Sequence, residues 1–126
     1  ESEVGVDIEE IGRFSSGVAR RVFTSAELEF YEAGENEEER SLRGFCIWTA
    51  KEAYLKLHGV GITGGFDFDT AESSGMSVRI TSGKYPAAEL KSSLMDIVMD
   101  NGAVKSFSIA LCGYGFSDCP VDYHVI

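Results

Sequence analysis

Two carboxylates near the start of this 126-residue chain are close enough in sequence to act together. In the stretch GVDIEE, at residues 5–10, Asp7 and Glu9 are two positions apart, so on a β-strand their side chains share one face. Such a pair is either a solvated strand edge or a site for a hard cation, and the spacing alone favours the solvated edge. If a cation binds, oxygen ligands without a neighbouring His or Cys favour Mg²⁺.

A second stretch, WTAKEAYLK at residues 48–56, has the spacing of an amphipathic helix. Trp48, Glu52 and Lys56 recur every four residues, so they lie close to one stripe of that helix. Taken alone, Glu52 and Lys56 predict an ordinary surface ion pair, and we expect Trp48 to pack in the core. Lys51 projects about 100° away from Glu52, so a ligand that contacts both must lie across the helix.

The first half of the chain predicts one strand and two helices. Apolar and polar residues alternate in EVGVDIEEI, which predicts a strand with the Asp7 side facing solvent. FTSAELEFY begins a helix with a capping box between Thr24 and Glu27, and residues 34–36 end or interrupt it. A longer helix is predicted from about Ser41 to His58, with glycine following as its C-cap.

The second half of the chain predicts β-structure. FDFDT and MSVRIT alternate like strands, and LMDIVMDNGAVKSFSIALC predicts a hairpin that turns at Asn101-Gly102. PAAELKSSLMDI has partly helical character, so we expect the first arm of the hairpin to begin late. The order of strand, helices and meander predicts one α+β domain over residues 1–126, with an antiparallel sheet packed against the longer helix.

Composition narrows the class of protein. The net charge of −10 weighs against sequence-independent nucleic-acid binding, which requires excess Lys and Arg. No apolar run approaches the roughly 20 residues that span a membrane, and we expect no secretion leader. Cys46, Cys112 and Cys119 lack the spacing of a metal site, and an odd number fits a reducing compartment. We therefore expect a cytoplasmic protein, with the acidic stretch 27–40 as a solvated face.

The two stretches together resemble a known family. GVDIEE followed some forty residues later by WTAKEAYLK is similar to the signature of the 4′-phosphopantetheinyl transferases. RFSSGVARRVFTSAELEFY resembles the corresponding region of the short, holo-acyl-carrier-protein-synthase type. LHGVGI resembles the segment that follows the lysine helix in the family, and FSIALCGYG resembles the end of the longer, surfactin-synthetase-activating type. The resemblance runs from about Val4 to Gly115.

This resemblance implies a reaction and a set of site residues. It implies that Asp7, Glu9 and Glu52 bind Mg²⁺, which bridges them to the diphosphate of coenzyme A. Lys51 and Lys56 would bind coenzyme A phosphates as point charges. The reaction would transfer the phosphopantetheine arm to a serine of an acyl or peptidyl carrier protein, releasing 3′,5′-ADP. Glu52, or a water held by it, would accept the serine proton.

One expected part of the coenzyme A pocket is absent from the sequence. The longer type has a His-Ser pair in its first half, and the short type has a Ser-His pair near its C-terminus. Neither dipeptide occurs here, and we assign no catalytic role to His58 or His124. We therefore expect this chain alone to bind coenzyme A weakly. The site would be completed by a missing half upstream of Glu1 or by a second copy of the chain.

Other functions remain open on the sequence alone. A divergent, non-catalytic domain could bind a carrier protein or another acidic partner through Arg13, Arg20 and Arg21, which lie beside the first helix. An unrelated Mg²⁺-dependent enzyme that acts on a phosphorylated substrate would also fit the carboxylates and lysines.

Overall fold

An antiparallel sheet and one long helix form the framework of the domain. A computed structural model describes residues 3–59, 65–66, 68, 70, 78–80, 86 and 88–114. In chain order, the elements are β1 (Val4–Glu10), α1 (Ser16–Val22), α2 (Ser25–Glu32), α3 (Glu37–Leu57), β2 (Val78–Ile80), β3 (Ala88–Val98) and β4 (Val104–Gly113). The four strands are ordered β1-β4-β3-β2 and all pair antiparallel. The predicted α+β class is confirmed.

The β3–β4 hairpin turns where the sequence predicts. Val98 pairs with Val104, and Asn101 Oδ1 accepts a hydrogen bond of 2.9 Å from the Ala103 amide. Gly102 has φ +84°, a conformation that suits glycine because it has no Cβ. β3 is a strand from Ala88 onward, so the expected late start is wrong: pairing with β4 outweighs the local helical preference.

The other two predicted strands are only partly described. Of MSVRIT, Val78–Ile80 form β2, and the remaining residues lie outside the described ranges. In FDFDT, the described residues Phe66, Phe68 and Thr70 are not in a strand. This segment instead lies against α3, where the Phe66 and Phe68 carbonyls accept hydrogen bonds from a buried lysine.

Side-chain caps define where the helices begin. In the predicted capping box, Thr24 N donates to Glu27 Oε1 over 2.9 Å and Glu27 N donates to Thr24 Oγ1 over 3.2 Å. α3 begins at Glu37, earlier than the predicted Ser41, because Asn36 Oδ1 accepts a hydrogen bond from the Glu39 amide. The three glutamates of its first turn also suit the positive end of the helix dipole.

Strand β1 turns its polar side toward α3, the reverse of the expected orientation. A Cβ added at Gly5 would lie 2.0 Å from the Ala53 carbonyl oxygen, so the strand and helix backbones touch at this point. Asp7 follows on the same face and is 5% exposed, whereas Val6 and Ile8 are 41% and 54% exposed. The prediction that Asp7 faces solvent is therefore wrong. The position of α3 decides which face is covered.

Two hydrophobic clusters hold the elements together. One joins the second half of α3 to β3 and β4, around Tyr54, Leu55 and Leu90. The other joins α1 and α2 to the first half of α3, and Trp48 packs against it while remaining partly exposed. No described helix has the length and apolar character needed to cross a bilayer. Within the described residues Cys46 and Cys112 are free thiols, and Cys119 lies outside them.

Candidate functional site

Asp7 occupies the centre of the site, where β1 meets α3. Its Oδ1 atom lies 2.7 Å from Lys56 Nζ, which α3 presents from its last turn. The Lys56 side chain is 49% exposed, while that of Asp7 is 5% exposed. Asp7 Oδ2 is buried and has no hydrogen-bond partner in the described structure. A buried carboxylate oxygen without a partner is costly, which marks it as a position for a cation or another donor.

Glu9 lies on the same face of β1 as Asp7 and is half-buried. Burial and the negative charge of Asp7 raise the pKa of the Glu9 carboxyl above its usual value. The Trp48 side chain, whose single donor is the indole N–H, opposes this shift of the Glu9 pKa. Trp48 therefore contacts the site as well as the core, a role that its apolar character did not predict.

Glu52 adds a third carboxylate from α3. Burial raises the pKa of Glu52, and the charges of Asp7 and Glu9 raise it further while Lys56 lowers it. The hydrogen bond to Asp7 in turn raises the pKa of the Lys56 ammonium. Asp7, Glu9, Glu52 and Lys56 are thus close enough to influence one another's protonation, and α3 turns Glu52 toward the strand that carries Asp7.

These residues have the chemistry of a Mg²⁺ site. Three carboxylates, one of which has an unpartnered buried oxygen, suit a hard cation, which prefers oxygen ligands. In the described part of the chain, however, no three acidic, histidine or cysteine side chains already form a metal-binding group. Lys56 neutralises Asp7 in this arrangement. The residues fit the ion by type and location, and their side chains must rearrange to ligate it.

Lys51 lies in a very different place from the one expected of a phosphate ligand. Its Nζ atom is 2.9 Å from Glu27 Oε1, and both side chains are completely buried. Lys51 also donates hydrogen bonds to the Phe66 carbonyl, over 2.7 Å, and to the Phe68 carbonyl. A phosphate group could not contact this ammonium unless the core opened. The structure thus separates Lys51 from Glu52 and Lys56, with which the sequence motif groups it.

Glu27 is the partner that sequence analysis does not reveal. The acidic stretch 27–40 is expected to be a solvated face, and most of its glutamates are indeed exposed. Glu27 is the exception, because its carboxylate is 0% exposed and also accepts hydrogen bonds from Thr70 N and Oγ1. The capping box is the only signal that this glutamate differs from its neighbours, since a capping glutamate folds back over its own helix.

The arginines expected to form a docking surface lie on the outside of the domain. Arg20 and Arg21 are both exposed in the last turn of α1. Arg13 is 81% exposed in its side chain and lies 2.9 Å from Glu37. An exposed ion pair of this kind contributes little to stability.

Comparison with known proteins identifies the family. The model of the 4′-phosphopantetheinyl transferase superfamily matches residues 3–112, which include every site residue described above. The chain belongs to this superfamily. It is thus an enzyme of the phosphopantetheinyl transferase kind, as the two sequence motifs predicted.

Individual relatives of both sizes are similar to the chain. The holo-[acyl-carrier-protein] synthase of Verminephrobacter eiseniae is 33% identical over 112 residues, covering 85% of this chain and 82% of that protein. A 4′-phosphopantetheinyl transferase of Bacillus pumilus is 35% identical over 74 residues, or 59% of this chain and 31% of that protein. A protein of Synechocystis named as a 4′-phosphopantetheinyl transferase is 38% identical over 69 residues, or 53% and 28%. The chain therefore aligns with most of the short relative and with under a third of the longer two.

Proposed function

We propose that this phosphopantetheinyl transferase moves the 4′-phosphopantetheine arm of coenzyme A onto a serine of an acyl or peptidyl carrier protein in a Mg²⁺-dependent reaction. The observation that carries the proposal is the convergence of Asp7, Glu9, Glu52 and Lys56 where β1 crosses α3. The names of the relatives support the class of reaction.

Each residue has a chemical role in this proposal. Asp7, Glu9 and Glu52 would hold Mg²⁺, which when bound would supply positive charge near the diphosphate of coenzyme A. Lys56, which is half exposed beside Asp7, would contact a phosphate oxygen. Glu52, or a water bound to it, accepts the serine proton.

The step replaces the phosphoanhydride bond of the coenzyme A diphosphate by a phosphate ester bond to serine. The serine oxygen bonds to the phosphorus that carries the pantetheine group, and the bond from that phosphorus to the oxygen of 3′,5′-ADP breaks. The serine proton passes to Glu52, and the negative charge leaves with 3′,5′-ADP. Positioning and charge stabilisation account for most of the catalysis in such transfers.

Intact-mass spectrometry of a carrier protein tests this proposal. The chain is incubated with apo acyl carrier protein, coenzyme A and Mg²⁺, and we expect the carrier to gain the mass of one phosphopantetheine group. The matched control is a carrier whose acceptor serine is replaced by alanine. No gain of mass at any enzyme concentration would favour the alternative, a non-catalytic domain that binds a carrier protein or another partner.

We further propose that a second copy of the chain covers the outer face of the sheet and completes the coenzyme A pocket. Val4, Val6 and Ile8 are 50%, 41% and 54% exposed there, an unusual amount of apolar surface for one strand. Sedimentation of the wild-type chain should show an oligomer, and Val6→Glu should shift it toward the monomer and weaken coenzyme A binding. A wild-type chain that sediments as a monomer at every concentration would contradict this proposal.

A further inference from the structure

The buried pair of Glu27 and Lys51 joins three separate parts of the chain. Glu27 Oε1 accepts a hydrogen bond from the Thr24 amide at the start of α2 and lies 2.9 Å from Lys51 Nζ in α3. Glu27 Oε2 accepts from Thr70 N over 2.7 Å and from Thr70 Oγ1 over 2.6 Å. The pair is thus bonded to both helices and to the segment that follows α3.

The same lysine holds an aromatic ring against the site. Lys51 Nζ donates to the backbone carbonyl of Phe66 over 2.7 Å and lies 4.3 Å from the centre of the Phe68 ring. The Phe66 ring stacks on Trp48, with ring centres 5.6 Å apart and planes inclined by 27°. The Trp48 indole also lies near Glu9, because it lowers the pKa of that carboxyl. Contacts therefore run from Glu27 through Lys51 and Phe66 to Trp48, which lies beside a carboxylate of the site.

The pair also fixes the rotation of α3. Consecutive residues of a helix project about 100° apart, so a buried Lys51 leaves its neighbour Glu52 on the side that faces β1. A rotation of α3 that withdrew Glu52 from Asp7 would pull the Lys51 ammonium away from Glu27 and from both carbonyls. Because an unpaired buried charge is strongly unfavourable, the helix is held at one angle.

We infer that Glu27 and Lys51 are positioning residues for the transfer reaction, acting through Phe66 and Trp48 on Glu9 and through the rotation of α3 on Glu52. They touch neither substrate nor metal. This inference rests on the proposed function for its kinetic consequence, whereas its structural consequence, the position of Trp48, can be measured without any reaction.

A neutral replacement of the pair separates positioning from stability. In the double variant Glu27→Gln/Lys51→Met, no unpaired charge is buried, so we expect it to fold and to melt near the wild-type temperature. The methionine side chain introduced in place of Lys51 has no donor for the Phe66 carbonyl, so Phe66 and Trp48 should lose their fixed contact. Trp48 is the single tryptophan of the chain, and its fluorescence emission should therefore shift to longer wavelength.

Kinetics provide the second measurement. A site displaced by about 1 Å loses up to roughly 100-fold in rate, so we expect kcat of the double variant to fall roughly 10- to 100-fold. The KM for coenzyme A should change little, because neither residue contacts it. Phe66→Ala, which leaves the pair intact, should reproduce the emission shift and the loss of kcat. Leu90→Ala, a core residue of β3, is the control and should lower the melting temperature with kcat unchanged well below that temperature.

Several outcomes would overturn the inference. Unchanged kcat and unchanged emission in both the double variant and Phe66→Ala would show that the pair is only structural. A raised KM for coenzyme A at constant kcat would show that Lys51 binds phosphate directly. If the wild-type chain transfers nothing, the proposed function fails, and the emission of Trp48 alone decides whether the pair holds the site.

Discussion

Two lysine–carboxylate pairs lie on opposite sides of helix α3, and both lysines come from the stretch WTAKEAYLK. Lys51 and Glu27 are completely buried, and each charged atom has partners in the backbone or in another side chain. Lys56 and Asp7 are as close, at 2.7 Å, but the lysine is half exposed and one oxygen of Asp7 has no partner in the described structure.

The difference shows which pair can exchange its partners. Opening the buried pair would leave two charges in the core, so it holds one arrangement. The Lys56 ammonium of the other pair is half exposed, so it can leave Asp7 for water, and under the proposed function it leaves Asp7 for a phosphate while the carboxylate binds a cation. Lysines of one motif therefore lie in different environments, and burial distinguishes them.

Removing the Asp7 carboxylate should have the largest effect. We expect Asp7→Asn to reduce transfer by about a thousandfold or more, because it removes a proposed Mg²⁺ ligand whose loss costs several kcal/mol of charge stabilisation. The measurement is the rate of carrier-protein modification at saturating Mg²⁺. Asp96→Asn, on the exposed part of β3, is the control. Equal rates for the two variants would remove Asp7 from the site.

Neutralising one partner of the buried pair should lower the stability of the fold, and it removes no proposed metal ligand. Glu27→Gln leaves Lys51 charged in the core and should lower the free energy of unfolding by about 3–5 kcal/mol. Urea titration measures it, and the double variant Glu27→Gln/Lys51→Met should recover most of the loss. A double variant as unstable as Glu27→Gln would mean that hydrogen bonds of Glu27, rather than the ion pair, account for the cost.

A methyl group at Gly5 should open the Asp7–Lys56 pair without disturbing the Glu27–Lys51 pair. Gly5→Ala places a Cβ against the Ala53 carbonyl, so β1 must move away from α3, at a cost of about 1–3 kcal/mol. The Asp7–Lys56 pair should open while the buried pair stays closed, and transfer should fall. Thermal melting and activity are the measurements. The control is Gly12→Ala, where an added Cβ meets no atom within 4 Å.

Removing the exposed lysine should move metal binding and transfer in opposite directions. In Lys56→Met no ammonium competes for Asp7, so the affinity for Mn²⁺, measured as a spectroscopic substitute for Mg²⁺, should rise severalfold in the absence of coenzyme A. Transfer should fall, because a phosphate contact is lost. Weaker Mn²⁺ binding in Lys56→Met would show that Lys56 supports the cation site instead of competing for it.

The smallest expected effect is on the pH dependence of stability. The pKa of Glu52 is raised, so the folded chain binds more protons than the unfolded chain just above the usual glutamate value of about 4.3. Stability should therefore fall as pH rises through that window, and Glu52→Gln should flatten the slope. Urea titrations across this range measure the slope, with Glu29→Gln on the exposed face of α2 as control. A steeper slope in Glu52→Gln would contradict the raised pKa.

The sequence predicted the features that depend on neighbouring residues. The capping box of Thr24 and Glu27 and the Asn101-Gly102 turn are set by contacts within a few positions, and both are confirmed. The family followed from two motifs and their order, and the α+β class followed from the order of strand, helices and meander. Lys51 and Glu52 lie on different faces of α3, as the rotation of about 100° between consecutive helix residues predicted.

The sequence could not predict what depends on long-range packing. The alternating pattern of β1 placed Asp7 in solvent, but the close approach at Gly5 puts α3 over that face. The sequence also did not reveal the different environments of Lys51 and Lys56, because both are lysines in one motif. Their partners distinguish them: Glu27, 24 residues before Lys51, pairs with one lysine, and Asp7, far away in the sequence, pairs with the other.

The pairing of β1 with β4 has a consequence for the order of folding. Asp7 lies opposite Ala110, about a hundred residues later in the chain, and contacts of such separation form slowly because a long loop must close first. On the ribosome, the strand that carries Asp7 is made before β4, its partner in the sheet, and must wait for it. The helices and the β3–β4 hairpin can form from local contacts, but a nascent chain that ends before β4 cannot hold Asp7 beside Lys56. The Asp7–Lys56 pair can therefore form only after β4 has been synthesised.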